Sequence, residues 1–299
     1  MRKQEKYYQV AGLTFGVEFG KGLELESKLQ AYEPFETALA DELLFLLPFE
    51  RVEDDLRVVD WKKLISSDES GSLVEIYVDS DNGYHYVDRL IRKPDMWLCI
   101  DFTREMREAR CRICGDAGFQ LYALNNALML MFALSSAPKD ALLFHSSVVM
   151  FEGKGYMFLG KSGTGKSTHS KLWLNYIAGS ELLNDDNPVV RIIDGKPWVF
   201  GSPWSGKTPC YQNKSVPVGG FVRLWQAPVN EIKRLDILQA YAALLPTVSS
   251  MRWEAWCADP VNATLNRLIQ TVPVFSLRNR PEEAAALMSF NALTHEIMQ

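Results

Sequence analysis

Cysteine is scarce in this chain: five in 299 residues, an odd number at scattered positions, which excludes a small secreted domain stapled by disulfides. Long apolar runs are lacking as well. The strongest, residues 43–49 and 128–134, fall well short of the ~20 residues that a membrane span needs. No apolar core follows the basic start Met1-Arg2-Lys3-Gln4-Glu5-Lys6, so no secretory signal is expected. Positive charge is not in excess either. The 32 Lys and Arg against 37 Asp and Glu leave a net charge of −5, which removes the bulk field that drives non-specific nucleic-acid binding. Together these absences predict a cytoplasmic protein with neither a membrane nor a nucleic acid as partner; they leave a homo-oligomer open.

What is present fits a globular protein, with 47% apolar and 23% charged residues. Length suggests two domains. Residues 1–117 alternate short β-like runs with polar turns, at 7–19, 73–78, 84–91, 96–102 and 109–114, and Asp81-Asn82-Gly83 reads as a hairpin turn between two of them. A small mixed, mostly β domain is expected there. Cys111 and Cys114, a lone Cys-x-x-Cys without a second pair or a nearby His, read as a reduced strand end rather than a zinc site. From Gly118 onward Leu121, Leu124, Leu128, Met131 and Phe132 recur at helical spacing as far as the breaker Pro138. Residues 118–299 then read as an α/β domain, strands alternating with helices.

The chemistry is concentrated in one loop. Gly160-Lys161-Ser162-Gly163-Thr164-Gly165-Lys166-Ser167, continued by Thr168, fits the phosphate-binding pattern of Gly, four residues, Gly, Lys and Ser or Thr. It follows the apolar strand 156–159 and opens a helix whose Leu172, Trp173, Tyr176 and Ile177 share a face. Glycines let successive backbone N–H groups turn inward, and a helix N-terminus adds partial positive charge at the anion. Lys166 is expected to meet the outer phosphates, and the Ser167 hydroxyl to ligate magnesium.

A magnesium triphosphate site also needs carboxylate where the next strand ends, and Asp185 and Asp186 stand there. A hairpin over 189–200 is expected to return Gly201-Ser202-Pro203-Trp204-Ser205-Gly206-Lys207 to the acids, with Pro203 opposite Asp186 and Trp204 opposite Asp185. A turn centred on Gly153 would put Ser146 opposite Gly160 and His145 beside the loop. His85, His169 and His295 have no evident partners and read as structural or surface residues. Arg252, Arg278 and Arg280 are alternative phosphate clamps that nothing singles out.

The order His145-Ser146-Ser147, strand, glycine loop, helix, Asp185-Asp186 resembles the catalytic domain of the HPr serine kinase/phosphorylase group, P-loop kinases related to ATP-dependent phosphoenolpyruvate carboxykinase. The resemblance covers roughly residues 140–290 and implies a P-loop α/β catalytic domain, with Lys166 and Ser167 holding ATP and Mg2+. It further implies Asp185 as proton acceptor for a substrate hydroxyl, Asp186 as a metal-side acid and His145 as a neighbour of the phosphates. The implied activity is transfer of the γ-phosphoryl group to a hydroxyl of a partner protein or a small molecule. A regulatory module with slow ATP hydrolysis and a carboxykinase-like enzyme remain alternatives. Val199 and Phe200 precede Gly201 where the HPr enzymes carry an acidic and basic pair.

Overall fold

The computed structural model describes residues 4–295 apart from 24, 26, 27, 54, 57, 59, 70, 107 and 207. By contacts the chain divides into Met1–Ser135 and Ser136–Gln299. The long helix therefore groups with the first unit, although the sequence pattern assigned 118–299 to the second.

In the first unit the strands are β1 (Gln4–Val10), β2 (Leu13–Phe19), β3 (Glu36–Thr37), β4 (Leu46–Arg51), β5 (Lys62–Glu69), β6 (Ser72–Val78), β7 (Tyr84–Leu90), β8 (Lys93–Phe102) and β9 (Ala109–Cys114), followed by helix α1 (Ala117–Ser136). They form one mixed sheet in the order β3-β1-β2-β4-β9-β8-β7-β6-β5. The single run expected at 7–19 is a hairpin, because Ala11 and Gly12 both take positive φ (53° and 72°). Alanine gives no turn signal, so the break is silent in the sequence. The predicted turn before Tyr84 is present: Asp79 accepts from the amides of Asp81 and Gly83, and Asn82 has φ 61°.

Helix α1 is longer than the apolar run the sequence displays. The helical segment Ala117–Lys139 is apolar and long enough to cross a membrane by length and composition, with 56% of its most apolar window buried. Its Phe119, Ala123, Leu124, Ala127, Leu128, Met131 and Phe132 are buried at helical spacing, the pattern of a core helix.

The second unit is α/β. Its elements are β10 (Ala141–Leu143), β11 (Ser146–Phe151), β12 (Lys154–Leu159), α2 (Lys166–Tyr176), β13 (Glu181–Asn184), β14 (Val189–Ile193), β15 (Lys196–Phe200), β16 (Ser215–Gln226), β17 (Glu231–Arg234), α3 (Ile237–Leu244), α4 (Ala255–Thr271), β18 (Val274–Asn279) and α5 (Glu283–His295). The sheet runs β10-β14-β15-β16-β12-β11-β13, and β18 pairs β16 on its far half. β16 is parallel to both β12 and β18. Those three strands therefore point their carboxyl ends the same way, toward the glycine loop. Two apolar clusters cover the faces: Phe144, Met157, Leu159, Phe221, Leu244 and Leu265 on one, and Phe158, Trp173, Val222, Phe275 and Leu293 on the other. Helix α4 is an element the sequence analysis did not single out; Cys257, Val261, Leu265 and Leu268 keep a buried helical stripe through its internal Pro260.

Both hairpins form. The β11–β12 turn has two residues, Glu152 and Gly153, both at positive φ, so Ser146 pairs with Leu159 rather than Gly160. A two-residue turn is centred half a residue earlier than one pivoting on Gly153. In the second hairpin Val189 pairs with Phe200 as expected. Beyond it the ladder ends, because the Asn184 side-chain oxygen accepts from the amides of Asp186 and Asn187 and bends the chain away. The Asn187 amide then meets the Trp204 carbonyl, where Asp185 was expected opposite Trp204. Gly206 comes to the acids instead: a Cβ there would lie 3.0 Å from the Asp185 carbonyl oxygen. Lys207 lies outside the described residues.

The glycine that opens this returning segment has no room for a side chain. A Cβ on Gly201 would stand 2.0 Å from the carbonyl oxygen of Gln212, a backbone atom. Gly201→Ala is expected to cost about 1–3 kcal/mol of stability, seen as a lower urea midpoint at unchanged m-value.

Candidate functional site

Strand β12 ends at Leu159, and residues 160–165 turn the chain into α2. Gly163 and Gly165 have φ of 80° and 101°, a region costly for other residues. Gly160 is packed against Thr164, whose Oγ1 would lie 2.1 Å from an added Cβ. Thr164 donates through its hydroxyl to the Lys161 carbonyl at 2.8 Å, which holds the loop curled. Gly165 is the N-cap of α2 and brings no side-chain oxygen to the first-turn amides. Those amides, with Lys166, Ser167 and Thr168 in the first turn, are left for an outside anion.

Lys166 folds back over the loop. Its Nζ donates to the Gly160 carbonyl at 3.1 Å and to His145 Nε2 at 2.8 Å. An ammonium only donates, so Nε2 of His145 is bare and Nδ1 carries the proton. Nδ1 in turn lies 3.1 Å from Asp186 Oδ1. The Ser146 amide bonds to the Asp186 carbonyl at 2.8 Å, which fixes the acid beside His145. The structure thus links three residues singled out in the sequence, Lys166, His145 and Asp186, in one chain of contacts. Burial depresses the Lys166 ammonium, Asp186 and Asp185 pull it back up, and Arg223 depresses it further.

Asp185 sits deeper. Its Oδ1 accepts from Ser147 Oγ at 2.7 Å, and Ser147 also contacts Ser170 Oγ on α2 at 2.6 Å. Its Oδ2 is buried and has no hydrogen-bond partner among the described residues. Asp186, by contrast, has both oxygens engaged, the second by Asn187 Nδ2 at 2.8 Å. Of the two acids, only Asp185 has an oxygen that accepts no hydrogen bond from a described residue. The Ser167 hydroxyl and the two carboxylates are hard oxygen donors, the class of ligand that Mg2+ takes.

A cleft of about 370 Å3 opens on the outer side of the loop, lined among others by Gly163, Thr168, Leu172, Gln226, Asn279 and Arg280. Gln226 Nε2 donates to the Gly163 carbonyl at 3.0 Å, tying the end of β16 to the loop.

No family model and no curated protein matches the chain. Among solved structures, the HPr(Ser) kinase/phosphatase from Coxiella burnetii is similar over 52% of this chain and 97% of its own, at 11% sequence identity and a TM-score of 0.31. A likeness that distant decides nothing about activity.

His169, His85 and the cysteine pair are accounted for structurally, and the His295 side chain lies outside the described part of the structure. On α2, His169 is buried, with Nε2 2.9 Å from Ser289 Oγ. Ser289 already donates to the Ala286 carbonyl, so His169 is the donor and its buried Nδ1 is a bare acceptor. Burial pushes its pKa down to about 4. Because the folded value lies below that of the free imidazole, its stabilising share is full above pH ~6.5 and is lost as pH falls toward 4. That share amounts to roughly 3 kcal/mol. Urea unfolding at pH 7 and 4.5 is expected to show this loss in the wild type and a smaller one in His169→Gln.

Cys111 and Cys114 lie three apart on β9 and so face opposite sides of the sheet. They cannot share a metal. Sequence reasoning missed a different cluster in the first unit. His85 Nδ1 meets Asp101 at 2.7 Å, its Nε2 meets Asp79 at 3.1 Å, and Cys99 Sγ lies 3.4 Å from Asp101. These donors are already spent: Arg112 bonds both Asp101 and Cys99, and Arg110 bonds Asp101. Burial alone would raise the Asp101 carboxyl, but His85 and the two arginines hold it at about 2.

Proposed function

We propose that this protein is an ATP-dependent phosphotransferase that moves the γ-phosphoryl group of ATP to a hydroxyl on a partner protein or small molecule. The observation that carries the proposal is the buried, unpartnered Oδ2 of Asp185 in the same site as the Lys166–His145–Asp186 chain. In this reading residues 160–168 take the phosphates through their amides and Lys166, and the adjoining cleft has room for the nucleoside end. Lys166 leaves the Gly160 carbonyl for phosphate oxygens. Ser167 and Asp186 would hold Mg2+, which supplies charge neutralisation on the transferring group. Asp185 Oδ2 takes the proton of the acceptor hydroxyl as its oxygen bonds to phosphorus and the bond to the ADP leaving oxygen breaks.

Incubation with γ-labelled ATP, Mg2+ and a lysate of the source cell tests the proposal. Label on an acceptor is the expected result. Label appearing solely as inorganic phosphate would instead mark a nucleotide-timed regulatory module, and transfer coupled to carbon dioxide release a carboxykinase-like enzyme.

A further inference from the structure

β16 carries one charged side chain inside an apolar stretch. Arg223 pairs with Leu159 of β12 and Ser276 of β18 in parallel register, so it stands level with the last residue before Gly160. This is the carboxyl end of parallel strands, where open α/β sheets receive ligands. Its neighbours Val222 and Leu224 point into the apolar cluster beneath α2 and α5, and the arginine takes the opposite face with Phe221 and Trp225.

Arg223 is only 7% exposed, yet no carboxylate among the described residues neutralises it. Its contacts are a long 3.5 Å approach of Nη1 to the Ala243 carbonyl and the Trp225 ring, 5.3 Å away. Neither offers a counter-charge. Burial lowers its pKa with no compensating acid, while its field reaches Lys166 and lowers that group too. Two desolvated cations are thus close enough to repel each other, and the acids that help Lys166 do not help Arg223. A buried, unpaired guanidinium is a costly feature for stability and a useful one for recognition. Its planar fork matches two oxygens of one phosphate, and it keeps its charge at any working pH.

We propose that Arg223 is a phosphate-binding residue, a second fixed cation that pairs with the triphosphate tail held at residues 160–168. The proposal rests on the phosphate-loop reading of that segment and adds to it a residue from a distant strand.

Calorimetry with inorganic tripolyphosphate and with Mg·ATP, beside melting temperatures of the ligand-free protein, tests it in the wild type, Arg223→Met and Arg223→Lys. Arg223→Met is expected to bind both ligands at least tenfold more weakly. Its ligand-free melting temperature should match or exceed that of the wild type, since an uncompensated charge has been removed. A purely structural arginine would give the reverse, a lower melting temperature at unchanged affinity, and that result overturns the proposal. Should the methionine variant fail to fold, Arg223→Lys decides: weaker binding by threefold or more at unchanged melting temperature supports a forked phosphate contact, and wild-type affinity overturns it. A wild-type chain that binds neither ligand removes the phosphate-loop reading itself, whereas equal binding by wild type and variants removes only Arg223.

Discussion

Lys166→Ala is expected to weaken Mg·ATP binding about 100-fold, or ~2.7 kcal/mol, the range found when one partner of a buried charged contact is truncated. The size follows from the site's construction. Lys166 is half-buried and reaches His145 and the Gly160 carbonyl, so its ammonium is poised over the concave side of the loop. Alanine leaves the loop amides and the helix N-terminus in place but removes the charge that the proposed function assigns to the outer phosphates. The fold should survive, because no buried acid depends on Lys166 alone: Asp186 keeps its contacts with His145 and Asn187. Calorimetric titration of the variant is the check, and an unchanged dissociation constant would show that Lys166 touches no phosphate.

The second large effect falls on rate rather than affinity. Asp185→Asn should lower the transfer rate about 1,000-fold, within the range for loss of a general base, while the Mg·ATP dissociation constant stays within a few-fold of the wild type. The amide oxygen can still accept from Ser147, so the buried Ser147–Ser170 network is kept. What the amide lacks is a lone pair basic enough to take a hydroxyl proton. Single-turnover transfer from γ-labelled ATP separates the two quantities. A variant that transfers at the wild-type rate would move the base role away from Asp185.

Much of this site is legible in the sequence because its signals are local. A glycine loop between an apolar strand and a helix needs residue types at fixed spacing, and that spacing survives without knowledge of the fold. Hairpin turns are equally local, which is why His145 lands beside the loop even though the strand register is offset by one residue. The errors arise where side chains redirect the backbone. Asn184 captures two amides and ends a ladder that backbone arithmetic would continue, so Trp204 meets Asn187 and Gly206 stands against the acids. The hairpin at Ala11-Gly12 was hidden by a residue that rarely turns.

By itself the sequence determined the glycine loop between strand and helix, the acids one strand later and the α/β character of the second half, since each depends on neighbours along the chain. Only the tertiary structure decided which Asp185 oxygen is free, which His145 nitrogen is bare and that Arg223, rather than Arg252, Arg278 or Arg280, is the buried cation level with the loop. Those properties are differences in burial and partnership between strands far apart in sequence, and desolvation, which gives a charge its chemical consequence, exists only once the strands have met.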